Sequence, residues 1–256
     1  MKNYLNKVIF LIAIMLVGFS SGCTVDGKPE PRLAMFVGVD ISGSFINSGY
    51  FDESLKFLSH YIYAHLHGIG GLEKPKVLFV SSIGGAEPGE PKAFYPIHIF
   101  ENRSVDEIHQ RLKEIFPKEQ QNDFTDFNAF FEQIALTIRN KRLVMSPISV
   151  VMVSDGVPDV TKNGKTHYRS IDLSPVERFS RNITIRLLYT DPVTGRAWET
   201  EIPRRRIKIW TQSAMVMTTW NDSTIYIPGK PIAKQEQWLD WTADNVDYGV
   251  PARRVD

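Results

Sequence analysis

Leu33-Ala34-Met35-Phe36-Val37-Gly38-Val39 is a run of seven residues without a charged or hydrogen-bonding side chain. A strand with one wet face alternates apolar and polar residues, whereas a continuous apolar run must be covered on both faces. That requirement points to helices on either side of a mostly parallel sheet. Lys76-Val77-Leu78-Phe79-Val80, Ile148-Ser149-Val150-Val151-Met152-Val153 and Ile183-Thr184-Ile185-Arg186-Leu187-Leu188-Tyr189 have the same strand character. A further strand-like stretch is Arg206-Ile207-Lys208-Ile209-Trp210-Thr211. Between them the spacing predicts helices over about 51–66, 105–116 and 126–139. The alternation predicts an α/β, Rossmann-like fold with a mostly parallel central sheet and helices on both faces.

In the third of these helices Phe127, Phe130, Phe131 and Ile134 fall at i, i+3, i+4 and i+7, one face of a helix, and are expected to pack onto the sheet. Residues 192–203 read as a loop or hairpin, bounded by Pro192 and Pro203. Residues 213–220 suit a short closing helix, and a helical turn is expected around Trp238 to Trp241, both tryptophans as packing residues.

Immediately after the first apolar run comes Asp40-Ile41-Ser42-Gly43-Ser44. In an open parallel sheet the ligand crevice lies at the carboxyl ends of the strands. Asp, Ser and Ser at alternating positions offer oxygen donors only, and Gly43 allows a tight turn. Thr125 sits just before the third helix, and Ser154-Asp155-Gly156 ends the apolar strand 148–153, so the same crevice can receive both. Hard oxygen ligands suit magnesium or manganese, with calcium less favoured.

These residues resemble the metal-ion-dependent adhesion site of the von Willebrand factor A (VWA) family, which uses Asp-x-Ser-x-Ser, a distant Thr and an Asp commonly followed by Gly. The resemblance covers about 33–220. It implies that Ser42 and Ser44 bind the metal directly, that Thr125 binds directly or through water, and that Asp40 and Asp155 hold coordinated waters or bind directly. It also implies that an acidic side chain of a protein partner completes the coordination. Two carboxylates only balance a dication, so such a site stays electrophilic.

The single cysteine, Cys23, excludes an intrachain disulfide and a thiolate zinc site. It follows a cationic start (Lys2, Lys7), an apolar run from Val8 to Phe19, and Ser20-Ser21-Gly22. That is the layout of a secretory signal, too short in its apolar part to span a bilayer comfortably. Its end resembles a bacterial lipoprotein box, with Ser20 where Leu is usual, which implies cleavage before Cys23 and lipid on that residue. The expected organisation is a signal peptide at 1–22, lipidated Cys23 and a tether at 23–32, a VWA domain at 33–220 and a C-terminal extension at 221–256. The expected location is the bacterial cell envelope, at the periplasmic face of the outer membrane if the source is Gram-negative, where Thr24 favours that sorting.

The formal net charge of +1 would become −1 on loss of Lys2 and Lys7, which gives no long-range attraction to nucleic acid. Asp40-Ile41-Ser42 lacks the second acid of haloacid-dehalogenase-like phosphatases, Asp-Ile-Ser-Gly is wrong for an aspartic protease, and neither a Gly-x-Ser-x-Gly elbow nor a phosphate loop occurs. His65 and His67 are two apart, against the three or four that zinc ligands on a helix need, and with His60 are expected at a solvent-touched helix end. Arg204-Arg205-Arg206 with Lys208 reads as the solvated start of a strand. The expected function is metal-dependent binding of a protein partner that presents Asp or Glu, without catalysis. The alternatives are a metal-stabilised scaffold in an envelope or secretion machine, and a metal-dependent phosphoesterase.

Overall fold

Leu33–Asp40 (β1) is buried along its whole length and lies inside a six-stranded sheet. The other strands are Pro75–Ile83 (β2), Tyr95–Pro96 (β3), Ile148–Val153 (β4), Ile183–Thr190 (β5) and Ile207–Ser213 (β6), arranged in the order β3-β2-β1-β4-β5-β6. All neighbours pair in parallel except β3, which runs antiparallel to β2. The computed structural model describes residues 30–84, 93–119, 124–159, 161–162 and 165–247. Of the two units into which the chain divides, Met1–Glu30 and Pro31–Asp256, these residues belong to the second apart from Glu30. The expected signal segment, Cys23 and the tether up to Pro29 lie outside them.

Both faces of the sheet are covered because successive residues of each central strand enter different cores. Met35, Val37 and Val39 of β1, with Val151 and Val153 of β4, pack under the helix Phe51–His67 (α1) and the helix Val105–Ile115 (α2). Ala34 and Phe36, with Val150, Met152, Ile185 and Leu187, pack against the helix Phe127–Asn140 (α3) and Trp198. Phe127, Phe130, Phe131 and Ile134 all join that second core, as their spacing requires. Gly156 and Gly84 set the loops above these layers. A Cβ on Gly84, at φ +77°, would stand 1.9 Å from the carbonyl oxygen of Phe124, so only glycine lets the 124–126 segment cross so closely.

Three sequence expectations change. Residues 192–203 are largely a helix, Pro192–Glu201 (α4), and not a loop or hairpin. The Asp191 carboxylate accepts the amides of Val193 at 2.8 Å and Thr194 at 3.1 Å, and Pro192 at the first helical position needs no amide partner, so Pro and Gly here start a helix instead of breaking one. His60 and His65 are buried and not at a solvent-touched end; of the three, His67 alone is exposed. The reason is the C-terminal segment, whose Tyr226 and Asp247 return over α1: His60 Nε2 lies 3.0 Å from the Tyr226 hydroxyl. The extension 221–256 is therefore, over its described residues, part of the first core, to which Ile232, Trp238 and Val246 belong. Its helix Glu236–Asn245 (α5) is longer than the single turn expected.

The segment is held at its end by charge. Arg186 of β5 pairs with Asp247 at 2.9 Å, and its other donors reach the Val246 carbonyl and the Ser149 hydroxyl, both at 2.9 Å. Tyr61 donates to the same Asp247 carboxylate. No helix among the described residues is long and apolar enough to cross a membrane.

Candidate metal site

β1 and β4 are adjacent parallel strands, with Val39 opposite Val153, so the residues that follow them emerge side by side at the carboxyl edge of the sheet. Asp40 turns the chain: its carboxylate accepts the Ser42 amide at 2.8 Å, which closes an Asx turn. Ser42 then caps the short helix Gly43–Ile46. Its hydroxyl lies 3.1 Å from that of Ser44, which in turn donates to Asp155 at 2.7 Å. The second Asp155 oxygen accepts the Val157 amide at 3.0 Å.

Four of the five expected residues thus form one hydrogen-bonded set, which Asp40 joins through the Ser42 amide. The set is graded in depth, from fully buried Asp40 through buried Ser42 and half-buried Asp155 to exposed Ser44. Its open end faces solvent. Thr125 lies on the same edge, carried there by the Gly84 crossing and buried, but its amide donates to the Asp159 carboxylate. The cap of α3 is Asp126, which accepts the Ala129 amide at 2.9 Å, so Thr125 is not used as the cap.

Sequence reasoning overlooked two residues. Ser154 is fully buried and donates to the second Asp40 oxygen at 2.5 Å, and the Gly156 amide donates to Ser154 at 2.9 Å. Asp159 holds the Thr125 backbone. Ser154 stands next to Asp155 in the chain, yet its role needs a partner 114 residues away. Gly156, at φ +78°, gives its carbonyl to Trp198 Nε1 at 2.8 Å, which ties the Asp155 loop to α4.

The electrostatics suit a cation. Burial and the neighbouring Asp155 push the Asp40 carboxyl up to about 7, against the opposing hydrogen bonds from Ser154 and Ser42. Two facing carboxylates and three hydroxyls are an oxygen-only donor set that a hard dication would relieve. Among the described residues no group of three or more His, Cys, Asp and Glu is placed to hold a metal, so the hydroxyls are essential to any such site.

No family model matches the chain, and no curated protein matches it. Solved structures similar to it include proximal thread matrix protein 1 from the mussel byssus, at 10% identity and a TM-score of 0.47, over 73% of this chain and 46% of that one. Manganese-loaded TRAP protein from Plasmodium vivax aligns at 14% identity and a TM-score of 0.45, over 71% of this chain and 69% of that one. The SpRpn10 VWA domain aligns at 12% identity and a TM-score of 0.43, over 75% of this chain and 96% of that one. This chain spans less than half the length of the mussel protein.

Proposed function

We propose that this chain carries a VWA-type domain whose Asp40, Ser42, Ser44, Thr125 and Asp155 hold one divalent cation, Mg²⁺ or Mn²⁺, for binding a protein partner. The observation that carries the reading is the hydrogen-bonded set from buried Asp40 to exposed Ser44. It supplies the charge to balance a dication while its outer end stays open. When bound, the cation supplies a Lewis-acidic point for an Asp or Glu of the partner. The chain's own residues orient it: Ser154 and the Ser42 amide fix both Asp40 oxygens, and the Val157 amide fixes Asp155.

The surroundings support a protein as the ligand. Val157, Val193 and Met215 each follow the carboxyl end of a sheet strand, Phe124 crosses Gly84 at the end of β2, and they are 38%, 79%, 80% and 39% exposed. Large apolar side chains exposed around a polar centre mark contact surfaces. Catalysis has no comparable support: one oxygen of the nearby Asp126 carboxylate caps α3.

We further propose that Cys23 is lipidated and tethers the domain to a bacterial envelope membrane. Radioactive palmitate should label wild type and not Cys23→Ser; equal labelling of the two would remove the anchor. The binding reading is tested by pull-down with residues 24–256 in Mg²⁺, in chelator and as Asp40→Ala. Partners should appear only with Mg²⁺ and wild-type protein. The same bait-specific partners in all three would overturn metal-dependent binding.

A further inference from the structure

Beside Thr125 a cavity of about 450 Å³ opens between the start of α3 and the residues Pro158, Asp159, Ser170 and Ile171. This is within the range of pockets that take small organic groups. Its lining includes the apolar residues Phe124, Phe127, Pro158 and Ile171 and the acidic residues Asp126, Glu132 and Asp159. None of its described lining residues is Lys, Arg or His.

We propose that this cavity is a second subsite of the same docking face, which takes a Lys or Arg side chain of the partner next to the acidic residue on the metal. The proposal rests on the metal-binding reading for the neighbouring acid only. An acidic side chain would be repelled by the three acidic residues of the lining. A purely apolar one would desolvate them without compensation. A long cationic side chain answers both walls, with its aliphatic stem on the Phe124, Phe127 and Ile171 surface and its head toward Glu132, Asp126 and Asp159. Thr125 lines the cavity and is bound through its amide to Asp159, so the two subsites are contiguous. The recognition signature is an Asp or Glu and a Lys or Arg close together on the partner.

The cavity is tested without metal by titrating the full chain with n-butylammonium, n-butylguanidinium, n-butanol and butyrate while the methyl NMR signals of Ile171 and Ala129 are followed. Both cations should shift them saturably, at concentrations about fivefold or more below those that n-butanol needs, the scale of one partly exposed charge contact. Butyrate should leave them unmoved, and Glu132→Lys should abolish the cation preference. Equal response to cation and alcohol, or no response at Ile171, overturns the subsite and leaves the metal reading untouched.

The link between subsites is tested with the peptides Ac-Asp-Gly-Lys-NH₂ and Ac-Asp-Gly-norleucine-NH₂ in Mg²⁺. The lysine peptide should bind about fivefold tighter to wild type and equally to Glu132→Lys. Mg²⁺-dependent binding of both peptides with no lysine advantage overturns the paired signature. Binding that ignores Mg²⁺, with n-butylammonium still saturable, overturns the metal reading instead.

Discussion

The Ser44 hydroxyl donates to the Asp155 carboxylate at 2.7 Å across 111 residues of chain, and this contact joins the loop after β1 to the loop after β4. A cation held between them would draw on both oxygens, so Asp155→Ala removes a ligand and half of the negative charge contributed by Asp40 and Asp155. Mn²⁺ at about a hundred times its Kd should stabilise wild type by about 2.7 kcal/mol, a rise of roughly 5 to 10 °C in Tm for a domain of this size. Asp155→Ala should show no Mn²⁺-dependent rise while keeping its far-UV circular dichroism. Differential scanning fluorimetry with and without Mn²⁺ checks this; an undiminished rise in the variant would place the metal elsewhere.

Gly84 carries Thr125 to the site edge only because it lacks a side chain. An alanine there would put its Cβ 1.9 Å from the Phe124 carbonyl oxygen at a backbone φ of +77°. Positive φ and a backbone clash together should cost about 3 kcal/mol or more. The expected outcome for Gly84→Ala is a lower urea midpoint together with weaker Mn²⁺ affinity, since the 124–126 segment must move to relieve the clash. Urea titration and calorimetry read the two effects separately, and a variant as stable as wild type would show that the crossing is not close.

What the sequence makes legible follows the range of each interaction. β1 and β4 are plain because their largely apolar runs stop at Asp40 and at Ser154-Asp155, so the acids that follow them mark the edge of the sheet. β2 runs three residues past Val80 because Ser81 and Ser82 continue the ladder beside Gly38 and Val39, and polar residues there give no sign of it. Tyr95–Pro96 is too short for any periodicity. Asp40, Ser42, Ser44, Thr125 and Asp155 stand out through local pattern, whereas Ser154 and Asp159 matter only through partners that the fold brings near. α4 was hidden by Pro192 and Pro203, which read as the bounds of a loop until Asp191 is seen capping the turn. The burial of His60 and His65 depends on residues 222–247 folding back, which no spacing within α1 reveals.

Arg186 and Asp247 make that return a matter of charge as well as packing. Arg186 is 5% exposed and inside a sheet strand, so removing Asp247 leaves a buried guanidinium without its counter-ion. Breaking one side of such a pair costs about 3 to 5 kcal/mol, less here because the Asp247 side chain keeps 18% exposure. Asp247→Ala should destabilise by about 2 to 3 kcal/mol. The double variant Arg186→Met, Asp247→Leu should recover most of that loss, because an apolar pair carries no desolvation cost. Urea denaturation of the three proteins decides it; a double variant no better than Asp247→Ala would mean that the hydrogen bonds to Val246 and Ser149 dominate.

His60 makes the seam between α1 and the C-terminal segment sensitive to acid. It is 3% exposed, set between Trp220 and Tyr226, and burial lowers it from 6.5 to about 4. Between those values the unfolded chain binds a proton that the folded chain does not, so stability falls as pH falls. The contribution of the neutral imidazole is complete above about pH 6.5 and is gone below about pH 4, with about 3 kcal/mol as its ceiling. Asp40 and Glu53, both pushed up to about 7 chiefly by burial, act in the opposite sense and lose stability as pH rises. The histidine is therefore isolated by difference: wild type minus His60→Gln, measured by urea denaturation from pH 7.5 to 4.5. That difference should shrink steadily toward acid, and a difference independent of pH would mean that His60 takes up its proton while folded.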